Sequence, residues 1–291
     1  MLDGTICNVA LPSMASQLGV ASEDSIWIVN AFQLAVMMLL LPFASMGELW
    51  GYKQVYVRGI VVFTFGSLLC ALSPSFAMLV IARVVQGVGA AMMMSVNTSM
   101  VKLIYPKRRL GEGVGLNATV VAIASVAGPT LSAAILAVAP WPWLFAINVP
   151  VGILTFVMAR KHLPDNPVRV VGRTFNWREA VLNAATFGLF IGCVEAYSHD
   201  VEPLIVLLGA VAMVAVGLVY VRMQVGKKYP MLPLDLLKIP IFTTSVATSV
   251  ISFTAQMLVM VGMPFMLVTT FGYNAVGTGL LMTSWPLALI F

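Results

Sequence analysis

The spacing of apolar segments and basic residues constrains this chain more than any other sequence feature. Apolar runs of about 20 residues, the length at which a helix crosses a bilayer, are separated by turn or charge signals. Fifteen of the sixteen Lys and Arg residues lie in, or within four residues of, the connections that follow the second, fourth, sixth and eighth runs. Such alternation is typical of polytopic proteins whose basic loops stay in the cytoplasm. We therefore predict spanning helices at 1–18, 25–46, 55–72, 76–103, 113–138, 143–159, 179–197, 203–221, 241–271 and from about residue 275 onward.

The composition agrees with this interpretation. Hydrophobic residues make up 60% of the 291-residue chain and charged residues 9%, whereas soluble domains have about 45–50% and about 25%. A globular core could not enclose so much apolar sequence, so most of it would face water. We expect an all-α polytopic membrane protein, which excludes a soluble enzyme, a disordered chain, a disulfide-stapled secreted module and a nucleic-acid binder. The net charge of +5 then serves topology and contact with anionic lipid headgroups.

The sequence gives no sign of a metal or cofactor site. Cys7, Cys70 and Cys193 are scattered through apolar segments without a CxxC spacing, which argues against disulfides and zinc. The two histidines, His162 and His199, lie in connections on opposite sides of the membrane. A membrane enzyme would need intramembrane histidines, paired carboxylates or metal ligands. We therefore expect no enzyme activity, no cofactor and no metal.

The sixteenth basic residue, Arg83, lies inside the fourth predicted helix. A basic side chain at membrane depth costs roughly 2.5–3.5 kcal/mol on insertion scales, so it needs a polar partner or cavity. Helical spacing puts Gln86, Gly87 and Ala90 on the same face. Arg83 should lie about 11 Å inside the outer boundary, two turns after the helix begins. We favour a functional buried arginine over one that snorkels to the outer surface.

Acidic residues in the apolar segments are the other candidates. Asp3 precedes the outer connection near Gly19 by roughly 24 Å of helix, which predicts a position in the inner half of the membrane. An intramembrane carboxylate is by default a proton or cation site; the alternative is that Asp3 marks a cytoplasmic helix end. Glu195 lies near the outer end of the seventh segment, where we favour a solvated helix end over a substrate or proton site.

Several stretches stand in an order that resembles a known family. They are 2–12 (LDGTICNVALP), 44–53 (ASMGELWGYK), Arg83 with Gln86-Gly87, 124–133 around Gly128-Pro129, and 143–152 (WLFAINVPVG). Together they resemble the major facilitator superfamily, and specifically its fourteen-helix drug–proton antiporter branch. Residues 230–238 resemble the amphipathic linker that precedes that family's second helix bundle.

The resemblance implies roles for individual residues. Asp3 would be the membrane-embedded acid of a proton or cation path, which Arg83, together with Gln86, would tune. In the loop motif, Glu48 would latch the two bundles on the cytoplasmic side, Gly51 would make a tight turn and Lys53 a basic contact. In the antiporter motif, Gly128 and Pro129 would shape the helix that closes the outward route. From the residues alone, Gly128-Pro129 indicates only a bent helix, for which ordinary kinked packing is the alternative.

The same resemblance divides the chain into units. These are a first six-helix bundle at 1–160, a cytoplasmic linker at 161–178, an extra helix pair at 179–222, an amphipathic linker at 223–240 and the start of a second bundle at 241–291. Both ends fall inside a predicted helix, which suggests a piece of a longer protein.

The expected function is secondary transport across the plasma membrane, in a bacterium the inner membrane. Proton influx would drive export of lipophilic or cationic compounds, so the partners are a small-molecule substrate, protons and lipid. The alternatives are a facilitator or importer of a specific small solute, and a truncated remnant that does not transport.

Overall fold

The structure, a computed structural model, describes residues 2–165, 174–198, 201–227, 230–274 and 277–282. Within these ranges the secondary structure is helical, with no β-strand. The helices are α1 (Leu2–Leu18), α2 (Ser22–Ser25), α3 (Trp27–Trp50), α4 (Tyr52–Ala71), α5 (Phe76–Ile104), α6 (Leu110–Val138), α7 (Pro142–Ala146), α8 (Asn148–His162), α9 (Trp177–Ser198), α10 (Pro203–Gln224) and α11 (Pro240–Thr269). Two 3₁₀ turns, Lys107–Arg109 and Leu234–Lys238, precede α6 and α11.

The observed helices follow the predicted spans. In the described ranges, eight helical stretches are long and apolar enough to cross a membrane, and they correspond to the second to ninth predicted segments. The 17-residue α1 occupies the first predicted segment. Of the tenth, residues 277–282 are helical, and the rest of that prediction lies outside the described residues. The chain is therefore a multi-pass all-α membrane protein.

The turn between α3 and α4 explains one boundary that the sequence placed too early. We predicted that the second span ends at Met46, but α3 continues to Trp50. It is stopped by Gly51, whose φ of 107° and ψ of 134° favour a residue without a side chain. Since α4 begins at Tyr52, a single glycine connects α3 to α4.

Helix α5 is the central helix of the first bundle, which here means α1 to α8. It packs along both α3 and α4, and glycines let the backbones approach closely. A Cβ atom at Gly66 of α4 would lie 2.6 Å from the backbone nitrogen of Gln86, and one at Gly89 of α5 would overlap the backbone of Phe63. Helices α1, α3, α5 and α7 share an apolar core that includes Leu11, Met14, Ile28, Leu79 and Phe145.

The remaining helices flank this bundle. Helices α9 and α10 pack against each other, and α9 packs on α3. Helix α11 packs on α1, where Met260 and Val9 belong to a small buried cluster together with Met282. Helix α1 thus lies between the other helices of the first bundle and α11.

The close approach of α4 and α5 predicts a sharp effect of one added methyl group. Gly89→Ala should destabilise the protein by roughly 1–3 kcal/mol, because the new Cβ meets backbone atoms that cannot move aside. Thermal unfolding in detergent, followed by the fraction of protein that remains monodisperse, measures this effect.

Gly192→Ala on α9 is the matched control, since a Cβ there meets nothing within 4 Å. It should leave the unfolding temperature unchanged or raise it slightly. Equal unfolding temperatures for the two variants would contradict the close α4–α5 contact.

Candidate functional site

The structure brings Asp3 of α1 together with Arg83 and Gln86 of α5. The Arg83 Nη1 atom donates a hydrogen bond of 2.7 Å to Asp3 Oδ2, and Gln86 Nε2 donates one of 2.8 Å to Asp3 Oδ1. Arg83 and Gln86 are fully buried, and Asp3 is 8% exposed. The three candidates of the proton path therefore form one buried cluster, which we call the Asp3 cluster.

The guanidinium of Arg83 has partners on every side. Its Nε atom donates to the backbone oxygen of Ile28 at 2.8 Å, and Nη1 also donates to Gln86 Oε1 at 2.5 Å. The ring of Phe32 lies 4.3 Å from the guanidinium carbon and that of Phe145 lies 5.6 Å away, within the range of cation–π attraction. The complete burial of Arg83 rules out a side chain that snorkels to the outer surface.

Two members of the Asp3 cluster were missed by sequence reasoning. Asn148, the first residue of α8, donates from Nδ2 to Asp3 Oδ1 at 2.7 Å. Ser67 of α4 is fully buried and accepts a 2.9 Å hydrogen bond from Gln86 Nε2. Asn148 could have been suspected as an amide within an apolar stretch. Ser67 gave no signal, because its hydroxyl also donates to the backbone of Phe63, as membrane-helix serines commonly do.

The side chains of Asp3 and Arg83 meet, although the sequence placed the two residues at different depths. Counting from the helix ends placed Asp3 in the inner half and Arg83 near the outer boundary, but the two side chains are in direct contact. The count assumed that the outer ends of all helices lie level. It also left out the length of the arginine side chain, which reaches Ile28, the second residue of α3, as well as Asp3.

The Asp3 cluster is electrically neutral while the carboxylate is ionised. Each carboxylate oxygen accepts at least one hydrogen bond, and the single positive charge beside it is in contact. In an apolar medium such a pair is tolerated only with this degree of satisfaction, and loss of one partner leaves a buried charge uncompensated. Chemically, the arrangement can hold one proton or cation at the carboxylate, in competition with Arg83.

The residues of the antiporter motif contact α1 next to the Asp3 cluster. A Cβ at Gly128 would overlap the hydroxyl of Thr5, so α1 and α6 touch at this glycine. Ser132, one turn beyond, donates from Oγ to the backbone oxygen of Ile6 at 3.1 Å. Pro129 is inside α6 and buried. The contact lies within one helical turn of Asp3 along α1.

The loop-motif residues lie far from the Asp3 cluster. Glu48 is partly buried at the end of α3, and Lys53 Nζ pairs with the exposed Asp165 at 3.2 Å. The 20 residues of α3 between Ile28 and Glu48 correspond to about 30 Å of helix. The structure thus separates Glu48, Gly51 and Lys53 from Asp3 by the full height of the bundle.

Two other carboxylates make buried or partly buried contacts. Glu195 is partly buried and accepts a 2.6 Å hydrogen bond from Trp27 Nε1, so it is more than a solvated helix end. Glu179 at the start of α9 is 5% exposed and accepts hydrogen bonds from Lys227 and, at 3.0 Å, from Gln224. Sequence reasoning missed the Glu179 contacts, since residues 45 and 48 positions away supply them.

No metal site is visible in the ranges that the structure describes. Nowhere among those residues do three or more His, Cys, Asp or Glu side chains gather in a way that could hold an ion.

Comparisons with known proteins identify the family. Residues 1–291 match the family model described as the Major Facilitator Superfamily. The chain is 49% identical over 288 residues to an uncharacterized transporter of Escherichia coli (strain K12), YebQ, covering 99% of this chain and 63% of the relative.

Two further relatives carry more specific names. The riboflavin transporter RibZ of Clostridioides difficile (strain 630) is 28% identical over 289 residues, covering 99% of this chain and 62% of the relative. A putative multidrug resistance protein of Salmonella typhi, MdtD, is 39% identical over 153 residues, covering 53% of this chain and 33% of the relative. The chain thus spans less than two thirds of the length of these relatives. Because the family model covers the whole sequence and YebQ matches nearly all of it, this chain belongs to the Major Facilitator Superfamily of membrane transporters.

Proposed function

We propose that this protein is a proton-coupled exporter of lipophilic or cationic compounds at the bacterial inner membrane. The observation that carries the proposal is the buried carboxylate of Asp3, paired with Arg83 and hydrogen-bonded by Gln86. An ionisable pair within the membrane is expensive, and such groups mark ion or substrate paths. The partial match to a putative multidrug resistance protein supports export of drug-like compounds.

Proton binding and cation binding exclude each other at Asp3. A proton on the carboxylate removes the negative charge that faces Arg83, while Arg83 keeps Ile28 O, Gln86 Oε1 and two aromatic faces as partners. The protonated state is therefore not left with an isolated arginine. A substrate cation would interact with the ionised form, so one carboxylate can exchange a proton for a substrate.

Two regions would convert this exchange into movement. In this family, access alternates as one bundle rocks against the other around a site near the membrane midplane. The contact of Gly128 with Thr5 supports a direct link between the Asp3 cluster and α6, where Gly128 and Pro129 would shape the closure of the outward route. At the cytoplasmic side, Glu48, Gly51 and Lys53 would form the loop that latches the bundles.

Transport of one defined solute is the second candidate function. The relative RibZ, which is named a riboflavin transporter and matches 99% of this chain, favours it. A carrier of this kind would saturate with one solute and ignore chemically unrelated dyes. Competition between ethidium and riboflavin for the same transport activity separates the two candidates.

Asp3→Asn should abolish proton-driven export while expression continues. The amide keeps the size of the carboxyl group but can neither bind a proton in this pH range nor compensate the charge of Arg83. Efflux of ethidium driven by a pH gradient in everted membrane vesicles measures the effect, with Asp235→Asn as the control at an exposed carboxylate. Undiminished efflux in Asp3→Asn would refute the assignment of Asp3.

Arg83→Lys should reduce coupled transport by about tenfold or more, because one ammonium cannot replace a guanidinium that reaches both Ile28 O and Asp3 Oδ2. Loss of a charged hydrogen bond of ~1.5–3 kcal/mol gives a change of this size. The initial rate of proton-driven efflux is the readout, and Arg222→Lys is the control. If Arg83→Lys transports at the normal rate, the positive charge alone is sufficient and the geometry of Arg83 has no role.

A further inference from the structure

A proline in α3 leaves one backbone carbonyl without its helical donor, and a side chain of α9 donates to that carbonyl instead. Pro42 has no backbone N–H, so the carbonyl of Met38, four residues earlier, has no helical donor. Asn183 of α9 donates from Nδ2 to this carbonyl at 2.8 Å. Asn183 is 1% exposed. In a membrane, where water does not compete, a freed carbonyl must be satisfied by a neighbouring helix.

A second contact joins the same helices near their outer ends. Trp27 Nε1 at the start of α3 donates to Glu195 Oε1 near the end of α9 at 2.6 Å. The two contacts are 11 residues apart on α3 and 12 residues apart on α9, so about 16–18 Å of antiparallel helix separates them on each side. Two attachment points at matched spacing prevent α9 from pivoting about either one.

Helix α10 is fastened to α9 at the cytoplasmic end. Gln224 of α10 is 3% exposed, and its Nε2 atom donates to Glu179 Oε2 at 3.0 Å. Its Oε1 atom accepts hydrogen bonds from the backbone N–H groups of Met231 at 2.7 Å and Leu232 at 3.3 Å. The first part of the linker to α11 is therefore attached to the α9–α10 pair as well.

We infer that α9 and α10 are attached to α3 at its proline break and move with the first bundle as one body during transport. The hydrogen bond from Asn183 to the Met38 carbonyl makes this attachment, and the Trp27–Glu195 contact fixes the register of α9 against α3. The boundary between the moving bodies then lies in the linker after Leu232, before α11 begins at Pro240. The part of this inference that concerns movement rests on the proposed function. The attachment through Asn183 is a property of the folded state.

The attachment of α9 to α3 also affects the Asp3 cluster, because α3 supplies partners of Arg83. This helix supplies both Ile28 O and the ring of Phe32 to Arg83, on the part of the helix that precedes Pro42. A proline break leaves that part free to change direction. The contact with Asn183 restrains it, so Asn183 acts as a positioning residue for the partners of Arg83.

A double-mutant cycle tests the attachment through Asn183 without any transport measurement. Pro42→Ala restores the backbone N–H that Met38 lacks, so Asn183→Leu should matter less in that background. We expect Asn183→Leu to lower the unfolding temperature in detergent by about 2–4 °C more in the wild-type background than in the Pro42→Ala background. Equal effects of Asn183→Leu in both backgrounds would contradict the attachment through Asn183.

The control for this cycle is Thr186→Val, one turn further on α9. The Thr186 hydroxyl donates to the backbone oxygen of Leu182 in its own helix. Its removal should therefore change the unfolding temperature by the same amount whether or not Pro42 is replaced. If the effect of Thr186→Val depends on the background as strongly as that of Asn183→Leu, the coupling to Pro42 is not specific to Asn183. That result would also contradict the attachment through Asn183.

Cross-linking tests the common movement. A Cβ at Gly188 would lie 3.5 Å from the Met38 side chain, so a short bifunctional thiol reagent should join Met38→Cys to Gly188→Cys. Ethidium efflux should be the same before and after this cross-link. Single-cysteine variants control for reaction of the native cysteines, and loss of efflux only in the linked double variant would overturn the inference.

A second pair separates failure of this inference from failure of the proposed function. Val9→Cys and Met260→Cys join α1 to α11, which would belong to different moving bodies. This cross-link should stop efflux. If it leaves efflux intact, the proposed rocking movement is wrong, whatever the result with the Met38–Gly188 pair.

Discussion

The buried ion pair between Asp3 and Arg83 is the interaction on which the rest of the site depends. A charge of either sign within the membrane is tolerated only when its partner and its hydrogen bonds are in place. The structure meets this requirement with groups from five helices: Asp3 of α1, Ile28 O of α3, Ser67 of α4, Gln86 of α5 and Asn148 of α8. The carboxylate of Asp3, together with Arg83 and Gln86 that bind it, thereby links these helices.

The close packing of the bundle follows from the same requirement. Short polar contacts between helices need backbones that approach closely, and glycines allow this at Gly66, next to Gln86, and at Gly128, next to Thr5. Gly66 lies beside a member of the Asp3 cluster and Gly128 beside a residue two positions from Asp3, so a change in the protonation of Asp3 would act on α4 and α5 directly and on α6 through α1. Helix α3 occupies a special position, since it contacts Arg83 on one side and α9 on the other.

The sequence predicted the spans well because bilayer thickness and loop charge fix them independently of tertiary packing. It also predicted that Arg83 and Gln86 share a face, which is a property of one helix. It could not pair Asp3 with Arg83, since that contact depends on the relative height of α1 and α5. The contact of Asn183 with Met38 was equally out of reach, although Pro42 announces a free carbonyl, because the sequence does not say which helix supplies the donor.

The most direct test of the account is proton release by the purified protein when a lipophilic cation binds. In weakly buffered detergent solution, addition of ethidium should release protons from the wild-type protein, whereas Asp3→Asn should bind the dye more weakly and release none. Equal proton release by the two proteins would contradict the claim that Asp3 exchanges a proton for substrate.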